Sequence, residues 1–287
     1  MADIFDFEPR RDQYAVMGNP VRHSRSPRIH TLFAEQTAQN MDYTAIQVDL
    51  GGFPQAVGNF AAAGGKGLNV TVPFKQEAFA LAETRSERAQ RAGAVNTLVL
   101  GGGPIHGDNT DGVGLVTDLG RNLGLELAAR RILVMGAGGA ARGVLAPLLA
   151  EGPAQLVIVN RTPDRAVELA AAFADLGPVL GCGYPDLNGQ HFDLIINATS
   201  ASLQGDLPPL PDGLLAPGAA AYDMMYGAEP TPFMTWASAH GAAQVDDGLG
   251  MLVEQAAESF FIWRGVRPDT PVVIAQLRAE MAQERDA

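Results

Sequence analysis

Residues 131–141 read Arg-Ile-Leu-Val-Met-Gly-Ala-Gly-Gly-Ala-Ala, and no other stretch restricts the fold of this chain so strongly. An apolar run of strand character over 132–135 ends on Gly136, and an Ala-rich segment of helical character follows the glycines at once. The first glycine of the G-x-G-x-x-A pattern permits a tight turn, and the second lets backbone N–H groups approach a bound group. Ala141, at the third small position, lets helix and strand pack closely. The pattern in this context predicts a βαβ unit whose helix N-terminus offers partial positive charge to a pyrophosphate. It also predicts a mostly parallel sheet covered by helices, with ligands beyond the carboxyl ends of its strands.

The same rhythm fills the rest of the chain. In the first half, β-rich runs at 14–17, 45–48, 67–72 and 96–100 alternate with helical stretches at 27–39, 53–63 and 76–83. The run 96–100, the GGGP that follows and the run 105–108 read as a hairpin, after which a helix over 114–123 leads out of the first unit. In the second unit, strands are expected at 132–135, 156–160, 178–182, 192–197, 220–224 and 243–245. From Leu249 a helix places Leu252, Ala256, Phe260 and Trp263 on one side, and another follows Pro271. Periodicity allows these closing helices to pack on either unit. The fold class is α/β, and 287 residues with 47% apolar content suffice for two cores.

Charge narrows the partners. With 20 basic and 32 acidic residues the net charge is −12, which repels phosphate polymers and anionic membranes. Small molecules are therefore the expected partners, and nucleic acid and membrane are not. An anionic ligand must be held by local donors. The basic residues are 18 Arg and only two Lys, Lys66 and Lys75, so each lysine raises the question of what arginine cannot do there. The single Cys182 excludes an internal disulfide framework, and the acidic N-terminus lacks the basic-then-apolar order of a signal peptide. No stretch approaches 18 uninterrupted apolar residues, so a soluble cytoplasmic protein is expected.

The residues after the second strand of the dinucleotide unit bear on the cofactor. An enzyme using NAD places Asp or Glu there for the ribose 2′-OH, whereas this chain has Asn160-Arg161-Thr162. A guanidinium fork and a hydroxyl suit a 2′-phosphate, which points to NADP(H). Asn197-Ala-Thr199-Ser200, Met224-Met225-Tyr226 and Asp247-Gly248 each follow an expected strand, so they should line one crevice.

Four polar groups stand out in the first half. Ser24 and Ser26 precede a helix with Pro27 in its first turn; they can hold a carboxylate, or Ser26 can cap the helix. Asn69 and Thr71 alternate along a strand and point to one face, and Lys75 falls in the first turn of the next helix. There the helix dipole disfavours a cation and lowers an amine pKa towards working pH, which suits an acid/base. Arginine stays protonated and cannot serve. Asn96 starts a strand, and the Gly107-Asp108-Asn109-Thr110-Asp111-Gly112 segment offers acids and amides before a helix. Thr110 or Asp111 can cap that helix, but Asp111 beside Lys75 would orient the ammonium, and the Lys–Asp pair is the sharper reading. The sequence has no H-E-x-x-H, no Cys/His ligand spacing, no G-x-S-x-G and no P-loop, so no metal is expected. Of the five His, only His23 lies inside a candidate site.

Taken together, the strings GNPVRHSRSPRIH, GLNVTVPFK, AGAVNTL, GDNTDG, GAGGAARG, NRT, NATS, DMMY and DGLGMLVEQAAESF resemble the shikimate dehydrogenase family, in order and over nearly the whole chain. The resemblance implies two α/β domains around a cleft. Residues 1–113, completed by helices from 249–287, would form a substrate domain with a mostly parallel sheet, and 114–248 a Rossmann-type NADP-binding domain. It implies reversible reduction of 3-dehydroshikimate to shikimate by NADPH, on the route to chorismate and aromatic amino acids. By motif position, Ser24 and Ser26, assisted by Tyr226, would hold the substrate carboxylate. Asn69, Thr71, Asn96 and Gln255 would bind ring hydroxyls, and Lys75 and Asp111 would bracket the reacting oxygen, with Lys75 as proton donor. The cofactor would be held by Gly136, Ala137, Gly138, Gly139 and Ala140, by Asn160, Arg161, Thr162 and Arg165, and by Thr199, Met224, Gly248 and Met251. Glu87 maps to a position sometimes grouped with these. Met251 and Gln255 are four apart on one helix face, which supports placing both at the cleft.

Two segments depart from the family pattern. Ala201-Ser202-Leu203-Gln204 separates Ser200 from Gly205, and Gly227-Ala228-Glu229 follows Tyr226. Two other functions compete: a quinate/shikimate dehydrogenase with relaxed substrate and cofactor choice, and a catalytically silent dinucleotide sensor. Ser26 and Asn160-Arg161-Thr162 favour shikimate and NADP, and a sensor has no need of both Lys75 and Asp111. The oligomeric expectation is a monomer or a homodimer.

Overall fold

The computed structural model describes residues 10–199 and 206–286. Its first half runs β1 (Asp12–Gly18), α1 (Ser26–Gln36), β2 (Met41–Gln47), α2 (Phe53–Ala62), β3 (Gly65–Val70), α3 (Lys75–Leu81), β4 (Thr84–Arg85), α4 (Glu87–Ala92), β5 (Thr97–Val99) and β6 (His106–Asp108). These strands form one sheet in the order β2-β1-β3-β5-β6-β4. β1 pairs in parallel with both β2 and β3, and β5 and β6 form the antiparallel hairpin. Side chains alternate along β1, so Tyr14 and Val16 enter one core while Ala15 and Met17 enter the other.

α5 (Asp111–Thr117) passes directly into a five-residue π turn, Asp118–Asn122, that leads to the second sheet. There β7 (Arg131–Met135), α6 (Gly139–Ala150), β8 (Gln155–Val159), α7 (Pro163–Ala171), β9 (Val179–Cys182), β10 (Phe192–Asn197), β11 (Leu215–Asp223), α8 (Pro232–Ala239) and β12 (Gln244–Asp247) follow in turn. Every strand pair in the order β12-β11-β10-β7-β8-β9 is parallel. This is the doubly wound order, with its switch point between β7 and β10, where a crevice for a dinucleotide opens.

The chain returns to the first sheet through α9 (Leu249–Arg264) and α10 (Thr270–Asp286). Both pack on the Tyr14 face, where Phe260, Val273 and Leu277 are fully buried with Ile29 and Phe33. Burying a side chain such as Phe260 contributes roughly 1.5–3 kcal/mol, enough to fix helices whose periodicity names no partner. α5 is wedged between α6 and α9. A methyl on Gly112 would lie 2.5 Å from Pro147 Cγ, and one on Gly114 would lie 2.7 Å from Gln255 Cβ. The two glycines thus let α5 approach both neighbours closely and set Asp111 between them.

Several expected boundaries move. α1 stops at Gln36, because Ala38 turns to φ 51° and Gln39 N–H closes the helix end on Ala34. β2 begins at Met41, four residues before the apolar run, because it pairs with β1 along its whole length. β3 ends at Val70, so Thr71 lies just beyond the strand, with its N–H still bonded to Met17 O at 2.9 Å. The helix expected at 114–123 begins at Asp111 and ends as the π turn. β11 begins at Leu215, with a register shift against β10. β4 and α4 give too little periodicity to be read, being two and six residues long. Ser200 and 201–205 lie outside the described residues.

Candidate active site

A cavity of about 320 Å³ opens at the carboxyl ends of β1 and β3, bounded by α5, α9 and the turn after β11. Lys75 and Asp111 meet there, with Lys75 Nζ donating to Asp111 Oδ2 at 2.6 Å. Lys75 is the first residue of α3 and Asp111 the first of α5, so two helix starts converge on the pair. Neither bland alternative holds: Thr110 makes no side-chain cap, and Asp111 is turned to the lysine. Asp111 is held from both ends. Asn96 Nδ2 donates to its Oδ1 at 2.8 Å, and its own N–H donates to Asn109 Oδ1 at 3.1 Å.

Ser24, Ser26, Asn69, Thr71, Asn96, Tyr226 and Gln255 all line this cavity, as do His23, Met224, Gly248 and Met251. Ser26 does not cap α1; Arg25 occupies that position without a side-chain cap, and Ser26 N–H donates to Ser24 Oγ at 3.3 Å. Tyr226 is half-buried, and burial pushes its phenol pKa up, with Arg25 opposing and Asp247 adding to the rise.

Behind the cavity lies a buried polar network. Asn69 Oδ1 accepts from Tyr43 Oη at 2.7 Å, and Asn69 Nδ2 donates to Ser259 Oγ at 3.0 Å. Thr97 Oγ1 lies 2.8 Å from Ser259 Oγ, and Asn96 Oδ1 accepts from the Thr110 N–H at 2.9 Å. Such networks rigidify when every member is satisfied. Asn69 therefore lines the cavity with its amide already engaged by protein groups. Tyr43, Thr97, Thr110 and Ser259 are binding-site neighbours that the sequence reading does not assign to this network. Ser259 carries a signal, being four residues after Gln255 on the same helix. Tyr43 carries none.

His30 stacks on Tyr43 from behind, with ring centroids 4.1 Å apart, and is fully buried. Among the described residues neither of its ring nitrogens has a hydrogen-bond partner, and burial pushes its pKa from 6.5 down to about 3, with nearby Asn69 opposing in part. The unfolded chain then binds this proton more readily than the fold between those values. The stability from the neutral ring is present above pH 6.5 and is lost as pH falls towards 3. Unfolding by urea at pH 7 and pH 5 should show a loss to which His30 contributes about 2 kcal/mol. His30→Leu should flatten that slope; an unchanged slope would remove His30 from the account.

The dinucleotide crevice is a separate part of the site. Gly136 adopts φ 106°, in the left-handed region that favours glycine, and a methyl there would lie 3.1 Å from Thr199 Cγ2. Gly138 and Gly139 have open space where a side chain would stand, and no side chain caps α6, so its first N–H groups face that space. At the end of β8, Arg161, Thr162 and Arg165 are exposed, and neither arginine forms an ion pair among the described residues. Asn160 Nδ2 donates to Thr162 O at 3.0 Å and shapes that turn. The donor set fits a dinucleotide carrying a 2′-phosphate. Glu87 opens α4 and does not line the cavity that holds the Lys75–Asp111 pair. Among the described residues no cluster of His, Cys, Asp and Glu has the make-up of a metal site.

Comparisons with known proteins match the same segments. Residues 16–98 match the model of the shikimate dehydrogenase substrate binding domain, 118–204 that of shikimate/quinate 5-dehydrogenase, and 248–278 that of the shikimate 5'-dehydrogenase C-terminal domain. A shikimate dehydrogenase (NADP(+)) of Dechloromonas aromatica is 60% identical over 270 residues, spanning 94% of this chain and 98% of its own. Among solved structures, an Ael1 enzyme from Pseudomonas putida superposes with a TM-score of 0.88 at 50% identity, covering 93% of this chain and 98% of its own. Shikimate 5-dehydrogenase of Thermus thermophilus, in complex with NADP(H) and shikimate, gives 0.83 at 34% identity over 93% of this chain and 99% of its own. Matched over nearly its full length, and with the motif side chains gathered around one cavity, the chain belongs to the shikimate dehydrogenase family.

Proposed function

We infer that this chain catalyses the reversible NADPH-dependent reduction of 3-dehydroshikimate to shikimate. The observation that carries the reading is the Lys75–Asp111 contact of 2.6 Å inside a cavity lined by hydroxyl and amide side chains, among them Ser24, Ser26, Asn69, Thr71 and Gln255. NADP(H), when bound, supplies or accepts the hydride. The Gly136 to Ala140 turn and the start of α6 would hold its pyrophosphate, and Arg161, Thr162 and Arg165 its 2′-phosphate, with Asn160 shaping the turn. Thr199, Met224, Gly248 and Met251 would form the wall near its reacting end.

Ser24, Ser26 and Tyr226 would hold the substrate carboxylate, and Thr71, Asn96 and Gln255 the ring hydroxyls. Asn69 would act mainly by fixing the network around them. Lys75 has three N–H bonds, and Asp111 takes one of them, which leaves the ammonium able to donate to the substrate oxygen. In the reducing direction Lys75 gives its proton to that oxygen; in the oxidising direction the neutral amine takes it back. Asp111, anchored by Asn96 and Asn109, keeps the amine aimed throughout.

Residues 1–113 with 249–287 are proposed as the substrate domain and 114–248 as the cofactor domain. A cytoplasmic enzyme of small molecules, monomeric or homodimeric, is part of this proposal; the net charge of −12 disfavours nucleic acid and anionic membranes as partners. Initial rates with shikimate and NADP+, compared with quinate and with NAD+, test the choice of substrate and cofactor. Shikimate with NADP+ is expected to be preferred by at least about tenfold in kcat/KM. Equal rates on quinate would favour the relaxed quinate/shikimate alternative instead.

A further inference from the structure

One wall of the substrate cavity is made by two turns, 224–227 after β11 and the junction at Gly248 between β12 and α9. They meet at Gly248, where a methyl would lie 2.3 Å from Met224 O and whose N–H donates to Met225 O at 3.0 Å. The carboxylate of Asp247 sits between the turns with its side chain only 5% exposed. Its Oδ1 accepts from Leu249 N–H at 3.2 Å and its Oδ2 from Gly227 N–H at 3.5 Å. Both oxygens also take the fork of one guanidinium, with Arg278 Nη1 at 2.8 Å and Nη2 at 2.5 Å. Arg278 belongs to α10, which contributes no residue to the cavity.

We propose that Arg278 is a positioning residue for the reaction, clamping Asp247 so that the wall carrying Tyr226 and Gly248 stays where the substrate carboxylate and the reacting end of the cofactor meet it. The inference rests on the functional reading above. A bidentate fork fixes the plane of a carboxylate, which a single ammonium does not. Asp247 is the buried member of the pair and Arg278 reaches it from the surface, so removing the guanidinium leaves the Asp247 charge uncompensated. Asp246 and Asp118 also act on Arg278 electrostatically, so without it Asp247 faces acidic neighbours and loses its only ion pair among the described residues. The remaining relief is rotation towards water, which releases the N–H groups of Gly227 and Leu249 and frees both turns. The Arg28–Glu280 pair, also made by α10, differs: its carboxylate is 29% exposed against 5% for Asp247, and neither residue lines the cavity. Exposed pairs of this kind contribute little.

The test compares wild type, Arg278→Gln, Arg278→Lys and Arg28→Gln by steady-state kinetics, thermal unfolding and fluorescence titration with NADPH. Arg278→Gln should raise the KM for shikimate about tenfold or more with kcat within about threefold, the range that slight misplacement of binding groups produces. Arg278→Lys should fall between it and wild type, and Arg28→Gln should match wild type. A lowered Tm with unchanged KM in Arg278→Gln would reduce Arg278 to a structural clip and overturn the proposal. If Arg278→Gln does not fold, a folded Arg278→Lys with wild-type KM overturns it equally. An inactive wild type that still binds NADPH would instead count against the functional reading.

Discussion

Lys75→Met is expected to cut kcat by at least about 10²-fold while leaving the dissociation constant of NADPH within about twofold of wild type. Methionine keeps an unbranched apolar stem but has no proton to give, and Lys75 lies in the substrate cavity, whereas the dinucleotide crevice is built from other segments. Lys75→Arg should be nearly as inactive, because a guanidinium keeps the charge beside Asp111 and cannot pass its proton at working pH. The pair of variants separates proton donation from charge. If Lys75→Arg retained turnover while Lys75→Met lost it, the lysine would be acting as a fixed charge. Near-normal turnover in Lys75→Met would remove it from catalysis altogether.

Arg161→Ala is expected to raise the KM for NADPH about ten- to a hundredfold and to leave the KM for 3-dehydroshikimate within about threefold. Hydrogen bonds to a charged partner contribute roughly 1.5–3 kcal/mol, which converts to that range. Rates with NADH should barely change, since no 2′-phosphate is present to be missed. The guanidinium is exposed at the end of β8 and has no ion pair among the described residues, so its loss disturbs little else. An equal rise in KM for both substrates would mean that Arg161 shapes the site rather than reads the phosphate.

Both positions are legible in the sequence because each combines a residue type with a backbone location. An amine at a helix start and an arginine where an acid would mark NAD are departures from local preference, and such departures gather at sites. The dinucleotide sheet is equally readable, since its strands are buried apolar runs separated by glycine turns. What the sequence conceals is held by tertiary contact. Tyr43 on β2 reaches over β1 to Asn69 on β3 and carries no local mark. Arg278 lies 31 residues from Asp247 and looks like any charge on a surface helix. The short β4 and α4 have too few residues to show a period, and the docking of α9 and α10 depends on which apolar face lies opposite. Capping by Ser26 or Thr110 is a sound local expectation. In the fold, Ser26 instead joins Ser24 at the cavity and Thr110 joins the Asn96 network, so site chemistry prevails over helix ends.

The most direct measurement is NADPH oxidation by the wild-type chain on 3-dehydroshikimate, with the product identified. NADPH should be consumed mole for mole with shikimate formed, at a rate that Lys75→Met lowers at least about 10²-fold. No NADPH consumption by a folded, NADPH-binding wild type, or a product other than shikimate, would contradict the proposed reaction.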